Sequence, residues 1–135
     1  MENKTSSKAV HITLWVAQVL LAAIFIMSGF MKASTPVEQL SAMIPWASDV
    51  PLALVRFIGT VELLGGIGLL LPSLLRIKPM LTVLASAGLA IIMFLAIPFH
   101  VSRGETQMIG VNALFMLIAL FVVWGRWKKV PILAK

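Results

Sequence analysis

The sequence predicts an all-α fold: a four-helix transmembrane bundle with a short interfacial helix in its first outer connection. Three observations predict it. The first is composition. The 135 residues are 60% hydrophobic and only 12% charged, with a mean hydropathy of +1.02, whereas soluble domains run nearer half apolar and about a quarter charged. The second is run length. Residues 12–31, 52–71, 80–99 and 108–127 each form an apolar stretch long enough for a bilayer core of ~30 Å, which takes about 20 residues of helix. The third is pattern. The runs are continuously apolar, as in residues 114–123. A β-barrel strand would instead alternate polar and apolar over about ten residues. A helix satisfies each backbone group within its own segment, as lipid requires. The runs take up most of the chain, so residues 1–135 read as a single integral membrane domain.

Each element follows in order. Residues 1–10 are polar and carry Lys4 and Lys8, like the charged region of a signal peptide. The apolar run behind them exceeds the usual length of about 7–15, and Lys32 interrupts any small-residue cleavage site. The first span therefore reads as an uncleaved helix. Residues 32–51 form the longest connection. Within it Thr35-Pro36-Val37-Glu38 reads as a capping box with proline at the first helical position. Val37, Leu40, Met43 and Ile44 then recur at helical spacing. This describes either an amphipathic helix on the membrane surface or a capped helix packed over the bundle end. Trp46 fits headgroup level.

Span two holds Arg56 and Glu62 and is followed by Pro72 and Pro79, which bracket the second connection. Span three ends at Pro98 and His100. Arg103-Gly104-Glu105 reads as the turn into span four, whose end at Gly125, Arg126 and Trp127 belongs to the interface. None of the seven prolines falls mid-span, as expected where proline breaks the helix ladder. Lys4, Lys8, Arg76, Lys78, Arg126, Lys128, Lys129 and Lys135 share one side of this topology, and only Lys32 and Arg103 lie on the other. The excess predicts a multi-pass cell-membrane protein with both termini in the cytoplasm.

Ionisable groups at membrane depth are costly and usually face a bundle interior, a wet cavity or a partner charge. Arg56 falls about 6 Å and Glu62 about 15 Å below the outer end of span two, at 1.5 Å per residue. Lys32 ends span one, His100 ends span three, Arg103 and Glu105 lie in the outer turn, and Asn112 is one turn inside span four. All four spans thus contribute to the outer half. The inner half offers only Gln18 and small hydroxyls such as Thr82 and Ser86. The expected site is a polar pocket of Lys32, Arg56, Glu62, His100, Arg103 and Asn112, open to the outer face. Arg56 and Glu62 leave their helix about 120° apart, off the spacing of three or four that makes a ladder pair. Each pairs with the other or with another helix. Glu62 reads either as a proton-accepting carboxylate or as half of a packing ion pair. Gly59, Gly65, Gly66 and Gly68 read as a close-packing surface, with space for a ligand beside Glu62 as the second reading.

Other chemistries are excluded or thin. There is no cysteine, so this chain has no thiol exchange and no thiolate cluster. His11 and His100 sit at opposite ends of the bundle, roughly 30 Å apart, which disfavours a bis-histidine haem. Histidine is too sparse for a zinc site. The net charge of +6 flanks the spans instead of forming a stripe, so anionic lipid is the expected partner and nucleic acid is not.

These residues fall into a recognisable order. Phe25-x-x-Ser28-Gly29-x-x-Lys32 closes span one, Arg56-x-x-Gly59-x-x-Glu62-x-x-Gly65 opens span two, and Gly68-Leu69-x-x-Pro72 closes it. His100-x-x-Arg103-Gly104-Glu105 then precedes a last helix holding Asn112. The set resembles the DoxX-like small membrane proteins over nearly the whole chain. The resemblance implies a four-helix integral membrane protein. It also implies an accessory subunit of a membrane redox process, because some relatives are described as parts of a thiosulfate:quinone oxidoreductase or of membrane redox defence. Quinone is then the implied ligand and a membrane redox protein the implied partner. No catalytic residues carry over, and the isolated chain is not read as an enzyme. Two alternatives stay open. One is a small-molecule carrier or exporter, which would need self-association to build a path. The other is a structural assembly protein in which Arg56 and Glu62 only specify packing.

Overall fold

In a computed structural model, residues 4–135 of the chain are described, with side chains from residue 7 onward. The elements are α1 (Lys4–Ser34), α2 (Val37–Met43), a 3-10 turn (Pro45–Ser48), α3 (Leu52–Leu75), α4 (Met80–Ser102) and α5 (Thr106–Trp124), which runs into a π-helical turn (Gly125–Lys129). Four of these helices are long and apolar enough to cross a membrane. They form an up-and-down bundle. α1 packs chiefly on α3 and α5 on α4, and the two pairs meet mainly along α3 and α4. The N-terminus, the α3–α4 turn and the C-terminus share one end, here the termini end. The connections around α2 and between α4 and α5 share the far end.

The exterior is built for lipid. Large apolar side chains stand exposed on every long helix, among them Val16 and Met27, Phe57 and Leu64, Ile91 and Phe94, and Leu114 and Leu117. In hydrocarbon these cost nothing to expose, and small and polar residues join the large apolar ones inside. A core of Leu14, Leu21, Phe25, Leu69, Leu89, Met93, Ala119 and Val122 fills the middle of the bundle. Beside it Ser86 donates to the Ala119 carbonyl at 2.7 Å, pinning α4 to α5.

One local expectation needs correcting. The capping box does not form: Pro36 occupies the N-cap of α2, and no side chain caps that end. With proline in the cap position, Thr35 lies one residue too early to reach the orphan amides. The short helix expected in the first outer connection is present as α2. Leu40 is fully buried, and it clusters with Ala47 and Val55 against Met31 and Trp46, so α2 packs over the bundle end.

The helices also continue past their prolines, which therefore lie inside α3 and α4. Pro72 lacks the amide that would bond to the Gly68 carbonyl. The Thr82 hydroxyl of α4 takes that carbonyl at 3.0 Å. The turn beyond α3 sets Arg76 and Lys78 at φ of 56° and 45°, the left-handed region that favours glycine.

Candidate functional site

The site begins where α1 and α3 cross. A Cβ on Gly59 would lie 2.6 Å from the Lys32 Cβ and 2.7 Å from the Ala33 amide nitrogen, so the two backbones approach closely because glycine stands there. Ser28 and Lys32 are four apart and share one face of α1. Both turn to Glu62. The Lys32 ammonium donates to Glu62 Oε1 at 2.8 Å, and the Ser28 hydroxyl donates to Oε2 at 2.8 Å. Glu62 is 1% exposed, and both its oxygens are occupied by donors. It is a satisfied half of a buried pair.

Arg56 takes the other course. Its Nη1 donates to the Lys32 main-chain carbonyl at 3.0 Å, filling an orphan acceptor in the last turn of α1. It pairs with neither Glu62 nor the other cavity side chains.

The far end of α4 supplies the second group. His100 is buried, and its Nδ1 lies 2.9 Å from Glu105 Oε1. Arg103 Nε donates to the same oxygen at 2.9 Å, and its Nη1 donates to Asp49 Oδ2 at 2.6 Å. The hydrogen bond from His100, reinforced by the neighbouring Arg103 guanidinium, holds the Glu105 carboxyl below its usual range against the opposing pull of desolvation. The hydrogen bond to Asp49 raises Arg103 further, and Glu105 adds to it. A carboxylate only accepts, so the Nδ1 of His100 carries the proton in this bond, and Nε2 is left as the free ring nitrogen.

Asn112, in the second turn of α5, is 5% exposed, and its Nδ2 has no hydrogen-bond partner among the described residues. An orphaned buried amide is uncommon and calls for a missing acceptor.

These side chains border one cavity of about 370 Å³. Lys32, Glu62, His100 and Asn112 line it, together with Trp46, Ile58, Ala96 and Phe99. It lies between the far halves of α3 and α4. Near the termini end the glycines hold them together: a Cβ on Gly65 would meet Leu89 and one on Gly68 would meet Ala85. The glycines around Glu62 are therefore packing positions, and none of them lines the cavity. Leu54, Phe57 and Leu95 also belong to the lining and are exposed on the apolar flank. The cavity thus opens sideways, between α3 and α4, toward the lipid-facing surface. The arrangement sets a hydrogen-bond donor, Asn112, and an imidazole, His100, beside a largely apolar lining.

Of the six residues expected in the pocket, Lys32, Glu62, His100 and Asn112 come together on its wall. Arg56 is turned to the last turn of α1 and is not part of the lining, and Arg103 sits over Phe99. Sequence reasoning missed Trp46 as a cavity residue. Its ring lies under the Lys32 ammonium at 5.6 Å and edge-on to Phe99 at 5.7 Å. It missed Asp49 as well, the acidic partner that ties the 3-10 turn to Arg103.

The largest correction concerns the termini end, which is not polar-poor. Arg126, expected at the interface, is 3% exposed. Its Nε donates to Gln18 Oε1 at 2.6 Å, and Gln18 Nε2 donates to the Leu69 carbonyl at 2.7 Å. Ser73 and Thr82 continue this buried network at 2.8 Å. The available signal was Gln18 itself, a polar group at depth that needs partners, although nothing in the sequence pointed to Arg126 as one of them.

Comparison with curated proteins and with solved structures gives no match. The model of one family, described as the DoxX-like family, matches residues 16–122. That stretch runs from α1 through α5 and contains every residue of the cavity, so with four membrane-spanning helices in the expected order the chain belongs to the DoxX-like family.

Proposed function

We propose that this chain is an accessory membrane subunit that binds the head group of a lipid-soluble redox carrier of the quinone class in the cavity between α3 and α4. The observation that carries this reading is the unpartnered Nδ2 of Asn112 on the wall of a cavity that also holds His100. A quinone carbonyl supplies the acceptor that Asn112 lacks. A quinol hydroxyl would hydrogen-bond to His100 Nε2, while Glu105 on the other side of the ring holds the imidazole in place. The chain Glu105, Arg103 and Asp49 then reaches the far-end surface. Glu62 has a different part. Paired with Lys32 and Ser28, it fixes α1 against α3 and presents a neutral pair to the ligand. The exposed Leu54, Phe57 and Leu95 give an isoprenoid tail its exit into lipid.

The test is equilibrium binding of a short-chain quinone to the purified protein in detergent. Asn112→Leu and His100→Phe should each weaken binding about tenfold or more, since a hydrogen bond lost from a dry site leaves its partner bare. Binding left unchanged by both replacements would refute the assignment. On the positive-inside argument the termini end faces the cytoplasm, and the cavity lies in the opposite leaflet.

A further inference from the structure

The charge balance of the two ends is opposite. Among the described residues every acidic side chain, Glu38, Asp49, Glu62 and Glu105, belongs to the far half. The termini end carries Arg76, Lys78, Arg126, Lys128, Lys129 and Lys135. Arg126 is the buried member, and its partners are neutral: Gln18 Oε1, the Val130 carbonyl at 3.0 Å and His11 Nδ1 at 2.9 Å. The Trp15 ring lies 5.3 Å from its guanidinium carbon. Its Nη2 is buried without a hydrogen-bond partner among the described residues. A guanidinium in a low-dielectric setting with no carboxylate beside it is the expensive state of a buried ion. Arginine does not relieve this by losing its proton. Among the described residues no carboxylate stands beside it, and a bound anion would supply the counter-charge.

A place for it adjoins. An open groove of about 400 Å³ is walled by His11, Trp15, Ser73, Leu74 and Arg76. His11 and Trp15 are also direct neighbours of the Arg126 guanidinium, so the groove is one side-chain layer from it. Because arginine only donates, His11 Nδ1 is the accepting nitrogen, and Nε2 carries the ring proton as a further donor. Arg76 stands exposed at the mouth, with its Nε bonded to the Leu133 carbonyl at 2.8 Å.

We infer that this groove is a second binding site, for a phosphate-type oxyanion. Arg76 receives the anion at the mouth, His11 donates within, and the buried Arg126 charge is what the anion neutralises. Guanidinium groups match phosphate oxygens in charge and in fork geometry. The phosphate belongs either to an anionic phospholipid, whose chains would lie on the apolar side of the groove at Leu74, or to a free ion. This site is separate from the quinone cavity, and failure of either leaves the other standing.

The experiment uses the full chain in neutral detergent and follows thermal unfolding. It is titrated with inorganic phosphate, with phosphatidylglycerol doped into the micelles, and with phosphatidylcholine as the zwitterionic control. A ligand bound only by the folded state raises the unfolding temperature saturably. Phosphate or phosphatidylglycerol should do so, and phosphatidylcholine should not. Arg76→Gln and His11→Gln should each weaken the half-saturating concentration about tenfold. Saturation by inorganic phosphate assigns a free anion, and saturation by phosphatidylglycerol alone assigns a lipid head group. No saturable shift with either, or equal shifts in parent and both variants, overturns the site. Arg126→Gln is added where it folds, and there the anion should give no shift.

Discussion

Two charge clusters meet at the far end, and their surroundings decide what replacing them does. Glu62 is buried where α1 meets α3 at the cavity wall, with Lys32 as its cation among the described residues. Lys32→Met leaves a bare buried carboxylate, and we expect it to lower stability in detergent by about 3 kcal/mol. The double replacement Lys32→Met with Glu62→Leu should recover most of that loss. A double-mutant cycle in thermal or denaturant unfolding reads the difference. Glu105 is instead half-buried at the rim, where His100 and Arg103 hold its carboxyl low. A depressed carboxylate contributes above its ordinary range and loses that contribution as pH falls through the depressed value. The tie from His100 through Glu105 and Arg103 to Asp49 should therefore loosen only in acid. Trp46 fluorescence against pH should show this acid limb in the parent and lose it in Glu105→Gln, with a smaller amplitude in high salt. The cavity residues were legible because a polar group at depth is rare enough to be suspect alone. Arg126 was not legible, because among Trp127, Lys128 and Lys129 it looks like one more flanking cation, and only the π-helical turn carries it inward.

At the scale of elements, the α1–α3 crossing positions everything else. Gly29 faces the Gly59 carbonyl and the Leu63 backbone with no room for a methyl group. Gly59→Ala should push α1 off α3 at a cost of about 1–3 kcal/mol. It should also break the Lys32–Glu62 contact, so quinone affinity falls with stability although residue 59 touches no ligand. Gly88→Ala, where a Cβ meets nothing, is the matched control and should lower neither, since alanine favours the helix. That the glycines mattered was readable from their density around Glu62. Which helix each one met was not, since Gly59 and Gly66 face α1 while Gly65 and Gly68 face α4. The ends of the helices were equally hidden. A proline marks where a ladder bond is lost, not where the helix stops, when a neighbouring side chain replaces the bond.

For the whole molecule, the fold was legible because the bilayer demands long unbroken apolar helices, and this chain has four. The sideways opening between α3 and α4 was not, since it depends on how far two helices splay. Orientation is directly testable, because the chain has no cysteine. A single cysteine at Lys135 should be shielded from a membrane-impermeant maleimide in intact cells, and one at Ser48 should react. The reverse pattern would invert the topology and move the cavity to the cytoplasmic leaflet. The bond between Thr82 and the Gly68 carbonyl has a consequence for biogenesis. Released alone into hydrocarbon, α3 would carry a naked acceptor where Pro72 interrupts its ladder, a penalty of several kcal/mol. The second and third crossings should then leave the insertion machinery together, as a hairpin already stitched by that threonine, and a chain cut between them should stall at the first step of its assembly.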